Sequence, residues 1–177
     1  MSSVTREAVP DDSLLKTFGG GAHPERWGGY ADCFEVTVDR IVTLAEFVFA
    51  FYTSPLFRVE RCLLRVFIGA PSSQSDARAL ADGSASQFAA WYVGERTATQ
   101  LLMCDRYERT RSWFGVVRIS GNRTRLQFGS AVAATRDAGR GTPHRSGGFR
   151  VMLRFHVLYS RMLLHAAAKR ATRPQDL

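Results

Sequence analysis

FRVMLRFHVLYSRMLLHAAAKRA, residues 149–171, is the stretch whose reading decides the fold. Met152, Phe155, His156, Tyr159, Met162, Leu163 and Ala166 return every three or four residues and share one side of a helix. Arg150, Arg154, Arg161, His165 and Lys169 fall on the other side. At 1.5 Å per residue such a helix runs ~35 Å. Its apolar side needs a surface to cover it, and the residues before it supply a sheet.

Four strand-like runs precede the helix: Gln87 to Arg96, Thr99 to Cys104, Tyr107 to Ile119, and Thr124 to Ala134 with Leu126, Phe128 and Val132 on one face. Asp105-Arg106 marks one reversal, and Ser120-Gly121-Asn122-Arg123 is a strong hairpin signal. Connections this short imply an antiparallel meander. Thr135 to Gly148 (TRDAGRGTPHRSGG) reads as a loop, mobile in part.

Further upstream, YADCFEVTV (30–38) alternates Phe34, Val36 and Val38 with Cys33, Glu35 and Thr37, as a half-buried strand does. From Leu44 the period lengthens, and Leu44, Phe47, Val48 and Phe51 form a helical stripe. Ser54-Pro55 starts a second helix, running to about Phe67 with Leu56, Val59, Leu63 and Val66 inward. Residues 72–85 read as a mobile polar connection. Residues 1–29, with Gly19-Gly20-Gly21 read as loop, form a flexible arm before one domain over 30–177. The order strand, two short helices, meander, long helix is an α+β plan. Some six twisted strands curl, and a helix across the inner side leaves space at the ends of the groove.

Composition narrows the function. The 177 residues carry 45% hydrophobic side chains and a formal charge of +8, values for one globular, basic domain. Of the 24 lysines and arginines only Lys16 and Lys169 are lysine, and the arginines are spread along the chain rather than clustered. Specific nucleic-acid binding, which needs a patch, is therefore not expected. Cys33, Cys62 and Cys104 have no metal or disulfide spacing and read as reduced thiols. The longest apolar run, Phe47 to Tyr52, is far short of a membrane span, so a soluble, cytoplasmic protein is expected.

Three stretches carry a family resemblance: YADCFEV, TQLLMCDRYERTRSW (99–113) and FRVMLRFHVLYSRML (149–163). Together they span residues 30–171, and their order resembles the helix-grip fold of the START-like, polyketide-cyclase-type (SRPBCC) superfamily. More closely, the chain looks like an uncharacterised bacterial family within it. Asp105-Arg106 and the aromatic-His pair Phe155-His156 match that family's pattern, while Cys104 stands where the family has glycine. The resemblance implies a curved sheet wrapped around the last helix and a cavity between them. It supplies no reaction.

The candidate ligand residues follow from the stripe and the sheet. His156, with Met152 and Tyr159, faces the sheet as a polar anchor or acid/base for a hydrophobic or aromatic small molecule. The bland alternative is a core histidine hydrogen-bonded to a buried carboxylate or carbonyl. Trp91, Trp113 and Tyr107 offer ring area with one polar handle each; core packing explains them equally well. Asp105 and Arg106 form either a turn or a charged pair at the cavity mouth. No G-x-S-x-G occurs and no Cys or Ser stands in a strand-to-helix elbow. A binding protein without metal or cofactor is the leading expectation. A cyclase- or dehydratase-type enzyme using His156 and an interaction module with a filled core are the alternatives.

Overall fold

A computed structural model describes residues 2–21, 30–58, 72–107, 110–132 and 147–173, with the backbone alone for 18–21 and 147–155. Seven strands form one sheet: β1 (Thr5–Glu7), β2 (Tyr30–Val38), β3 (Gln87–Phe88), β4 (Trp91–Arg96), β5 (Gln100–Asp105), β6 (Thr110–Arg118) and β7 (Thr124–Val132). Their order is β1-β2-β7-β6-β5-β4-β3, and every pairing is antiparallel. Four helices lie wholly within the described residues, α1 (Leu14–Gly21), α2 (Leu44–Tyr52), α3 (Gln74–Asp82) and α4 (Gly147–Ala171).

The register writes a gradient across one face of the sheet. Val36, Leu126 and Val116 stand side by side on β2, β7 and β6; the next row is Phe34, Phe128 and Phe114. The third is Asp32, Ser130 and Ser112, and the fourth is Tyr30, Val132 and Thr110. Because side chains alternate faces, these four rows all point to the same side. The strands thus pass from an apolar half to a polar half within nine residues.

Helices α2 and α4 cover this face. At nine residues α2 is too short to be stable alone, so burial must hold it. Leu44 and every residue from Phe47 to Tyr52 are buried, and Phe51 lies 4.8 Å, ring to ring, from both Phe114 and Phe128. Thr43 and Glu46 cap its start reciprocally. Residues 55–58 are helical, with Ser54 Oγ accepting from Phe57 N at 3.2 Å; the rest of the expected second helix lies outside the described residues.

On α4 the buried stripe is Ser160, Leu163, Leu164, Ala167, Ala168 and Ala171. Met162, expected on it, is 50% exposed, because it is rotated well away from the 160–163–167–171 line. Arg40 donates to the carbonyl of Ala171 at 2.6 Å, satisfying an orphan acceptor at the C-terminus of α4.

Phe34, Val36 and Val38 are buried while Glu35 and Thr37 are half-exposed, as expected of β2, but the opposite face has its own small core, which buries Cys33 as well. Cys33, Leu102, Cys104 and Trp113 are buried there beneath Leu14 and Leu15 of α1. The expected arm is docked over residues 2–17: β1 pairs with β2, and Gln100 Oε1 accepts from both Leu14 N (2.9 Å) and Trp113 Nε1 (2.8 Å). Gly19–Gly21, read as loop, closes α1 as helix. Glycine costs about 1 kcal/mol per position there, so the burial of Leu14 and Leu15 has to carry the helix. The Trp113 ring lies across two glycines. A Cβ on Gly115 would meet it at 2.7 Å and one on Gly129 at 3.0 Å.

Residues 72–85 are not the expected connection but hold α3. Ser73 and Asp76 make a capping box, Ala77, Leu80 and Ala81 bury one stripe, and Gly83 at φ 80° ends the helix. The run Gln87 to Arg96 is two strands, interrupted at Ala89, whose φ is 51°. The expected loop 135–148 lies outside the described residues as far as 146.

Candidate functional site

Between α4, α2 and the polar half of the sheet lies a cavity of about 320 Å³. Its greasy walls are Phe51, Tyr52 and Phe57 from the α2 region, Trp91 and Phe128 from the sheet, and Leu163 from α4. Tyr52 and Phe57 meet edge to face at 4.9 Å, one of several ring contacts that fix these walls. The polar end is the third and fourth rows of the sheet, Ser112, Ser130, Thr110 and Tyr30, facing His156, Tyr159 and Ser160 of α4.

His156 is tied to the sheet through a chain of hydrogen bonds whose centre, Ser130 and Asp32, is buried. Its Nε2 lies 2.7 Å from Ser130 Oγ. Ser130 donates to Asp32 Oδ1 at 2.6 Å, and Tyr30 OH donates to Asp32 Oδ2 at 3.0 Å. Arg6 Nη2 in turn donates to the Tyr30 oxygen at 3.0 Å. Asp32 is only 2% exposed, directly opposite Ser130 in the β2–β7 register. A buried carboxylate needs its lone pairs satisfied, and the two hydroxyls do that. Burial, then the neighbouring Asp32 charge, pushes the Tyr30 phenol up to about 12, so it stays protonated and donates.

Chemically this is not a nucleophile–base pair. Ser130 aims its proton at Asp32, so the hydroxyl is not activated by His156. The imidazole is the group that meets the cavity, with the Asp32 charge one hydroxyl behind it. Among the described residues no three His, Cys, Asp or Glu side chains cluster as metal ligands would. No helix among them is long and apolar enough to cross a membrane.

Of the residues singled out in the sequence, the structure brings His156, Tyr159 and Trp91 to the cavity. Met152 falls where only the backbone is described. Trp113 is on the other face of the sheet, since it is one residue out of step with Ser112 and Phe114. Asp105 ends β5 and accepts from Thr110 N at 3.0 Å, which holds the turn. Arg106 and Tyr107 are exposed in that turn, Tyr107 by 74%, away from the cavity.

Tyr30, Asp32 and Ser130 were missed. The signal was present: Tyr30 and Asp32 continue the Phe34–Val36–Val38 parity backwards, and Ser130 falls between Phe128 and Val132. An aspartate on the inward parity of a strand is a buried carboxylate, hence a group that needs partners. Comparison with known families, with curated proteins and with solved structures finds no match.

Proposed function

We propose that this chain binds a hydrophobic or aromatic small molecule in the cavity between its sheet and α4, on a helix-grip frame of the START-like type. One observation carries the reading: the cavity has aromatic walls and gathers its polar groups at one end, where His156, backed by Ser130 and Asp32, stands with Thr110, Arg111 and Ser112 of the sheet. Sites for small molecules combine an apolar lining with a few placed polar groups in this way, and 320 Å³ falls at the small end of their range of roughly 300–1,000 Å³. Two helices following β2 and a long last helix against an antiparallel sheet agree with the helix-grip plan. The open space weighs against an interaction module with a filled core.

A second reading, an enzyme of cyclase or dehydratase type, has one observation in its favour. The Asp32 charge behind Ser130 would compensate an imidazolium formed when His156 takes a proton from a bound molecule.

The test is titration with the neutral fluorophore N-phenyl-1-naphthylamine. Wild type should bind it with a blue-shifted, enhanced emission. Ser112→Phe, which places a ring in the cavity, should abolish the signal without lowering the thermal midpoint. Equal binding by both proteins would remove the cavity as the site.

A further inference from the structure

The protons around His156 can be counted. The Asp32 carboxylate accepts only, and it takes one hydrogen bond from Ser130 and one from Tyr30. Each hydroxyl has a single proton, so Ser130 has only lone pairs left to offer. His156 Nε2 nevertheless sits 2.7 Å from that oxygen. Two lone pairs do not share such a distance, so Nε2 carries a proton and donates. In the neutral ring Nδ1 is then an acceptor, and it has no hydrogen-bond partner among the described residues. The ring forms part of the cavity wall.

We infer that the cavity selects apolar molecules bearing one hydroxyl, of phenol or alcohol type, which donates to His156 Nδ1, and that Asp32 sets this preference through Ser130. The inference rests on the cavity being the binding site proposed above. At Nδ1 an ether or ketone of the same shape would bring a lone pair against a lone pair. A site built to bond a hydroxyl discriminates far more sharply against an analogue lacking it than an apolar wall discriminates one methylene. Asp32 touches no ligand in this scheme; it is a positioning residue for the tautomer.

Reversing the polarity of Asp32 should reverse the selection. In Asp32→Asn the amide oxygen is needed by Tyr30, which already accepts from Arg6 and must donate. The amide N–H then faces Ser130. Ser130 accepts from it, releases its own proton toward His156 Nε2, and moves the ring proton to Nδ1. His156 now presents a donor to the cavity in place of an acceptor.

The experiment compares 2-naphthol, 2-methoxynaphthalene and 2-acetylnaphthalene by calorimetry, with ¹⁵N shifts of the His156 ring in the free protein near neutral pH. Wild type should show a protonated Nε2 and an unprotonated Nδ1, and should bind 2-naphthol about tenfold or more tighter than the ether, the worth of one hydrogen bond. Asp32→Asn should turn the preference toward the ketone. Ser130→Ala, which cuts the chain while leaving Asp32 with Tyr30, should erase the preference without reversing it. Equal affinity of wild type for all three, or a protonated Nδ1, overturns the inference and leaves the cavity reading standing. Binding of none of the three overturns both.

Discussion

Tyr30 and Cys33 stand on opposite faces of β2, and both hold their protons far above the ordinary range. Burial lifts each first, to about 12 from 10.0 for Tyr30 and from 9.0 for Cys33; Asp32 adds to the first, and Glu35, Asp32 and Glu7 to the second. Both groups bind their protons more tightly folded than unfolded. Their contribution to stability is therefore complete below about pH 9 and is lost as pH rises through the folded values. Urea midpoints measured from pH 8 to 11 should fall for wild type and fall less for Cys33→Ala and Tyr30→Phe. Identical slopes in all three proteins would contradict this. At the same scale, His156 was legible because a polar residue interrupted an apolar stripe. Tyr30, Asp32 and Ser130 were passed over because they do not look like core residues, although their parity places them inward. Trp113 was placed by ring area instead of parity. With apolar residues on both faces of the sheet, the sequence does not say which face carries the long helix.

Among the elements, α3 is the instructive case. Its stripe is made of Ala77, Leu80 and Ala81, too small to stand out among Ser, Asp and Gly, yet Ser73-x-x-Asp76 is a capping signal. Ser73 Oγ accepts from Asp76 N at 3.1 Å, and Asp76 Oδ2 accepts from Ser73 N at 2.7 Å. Ser73→Ala should destabilise the protein by about 1 kcal/mol in urea unfolding while leaving probe binding unchanged. A loss of probe binding, or no change in stability, would count against the cap. The arginines make the converse point about legibility. Their scatter along the chain argued against a nucleic-acid patch, and several are committed to the fold. Arg40 caps α4, Arg96 binds the carbonyls of Leu80 and Ala81, Arg78 lies 3.8 Å over the Phe49 ring, and Arg170 donates to Thr53 at 2.8 Å. Charge counted in a sequence does not distinguish a capping arginine from a free one.

For the whole molecule, the meander from β4 to β7 was legible because its connections are short and its turns have turn residues. The pairing of β2 with β7 was not, since it joins segments some ninety residues apart and leaves no local mark. That pairing creates the site: it brings Asp32 beside Ser130 and sets the polar rows of the sheet under His156. The apolar rows meet Leu163 and the alanines of α4, and the cavity opens where the rows turn polar. Intermolecular nuclear Overhauser effects from bound naphthalene to the protein locate a ligand without any substitution. The account predicts contacts to the Phe128 and Phe57 rings and the Leu163 methyls. Contacts confined to the exposed Ile41 or Val117 side chains, or none to the cavity, would contradict it.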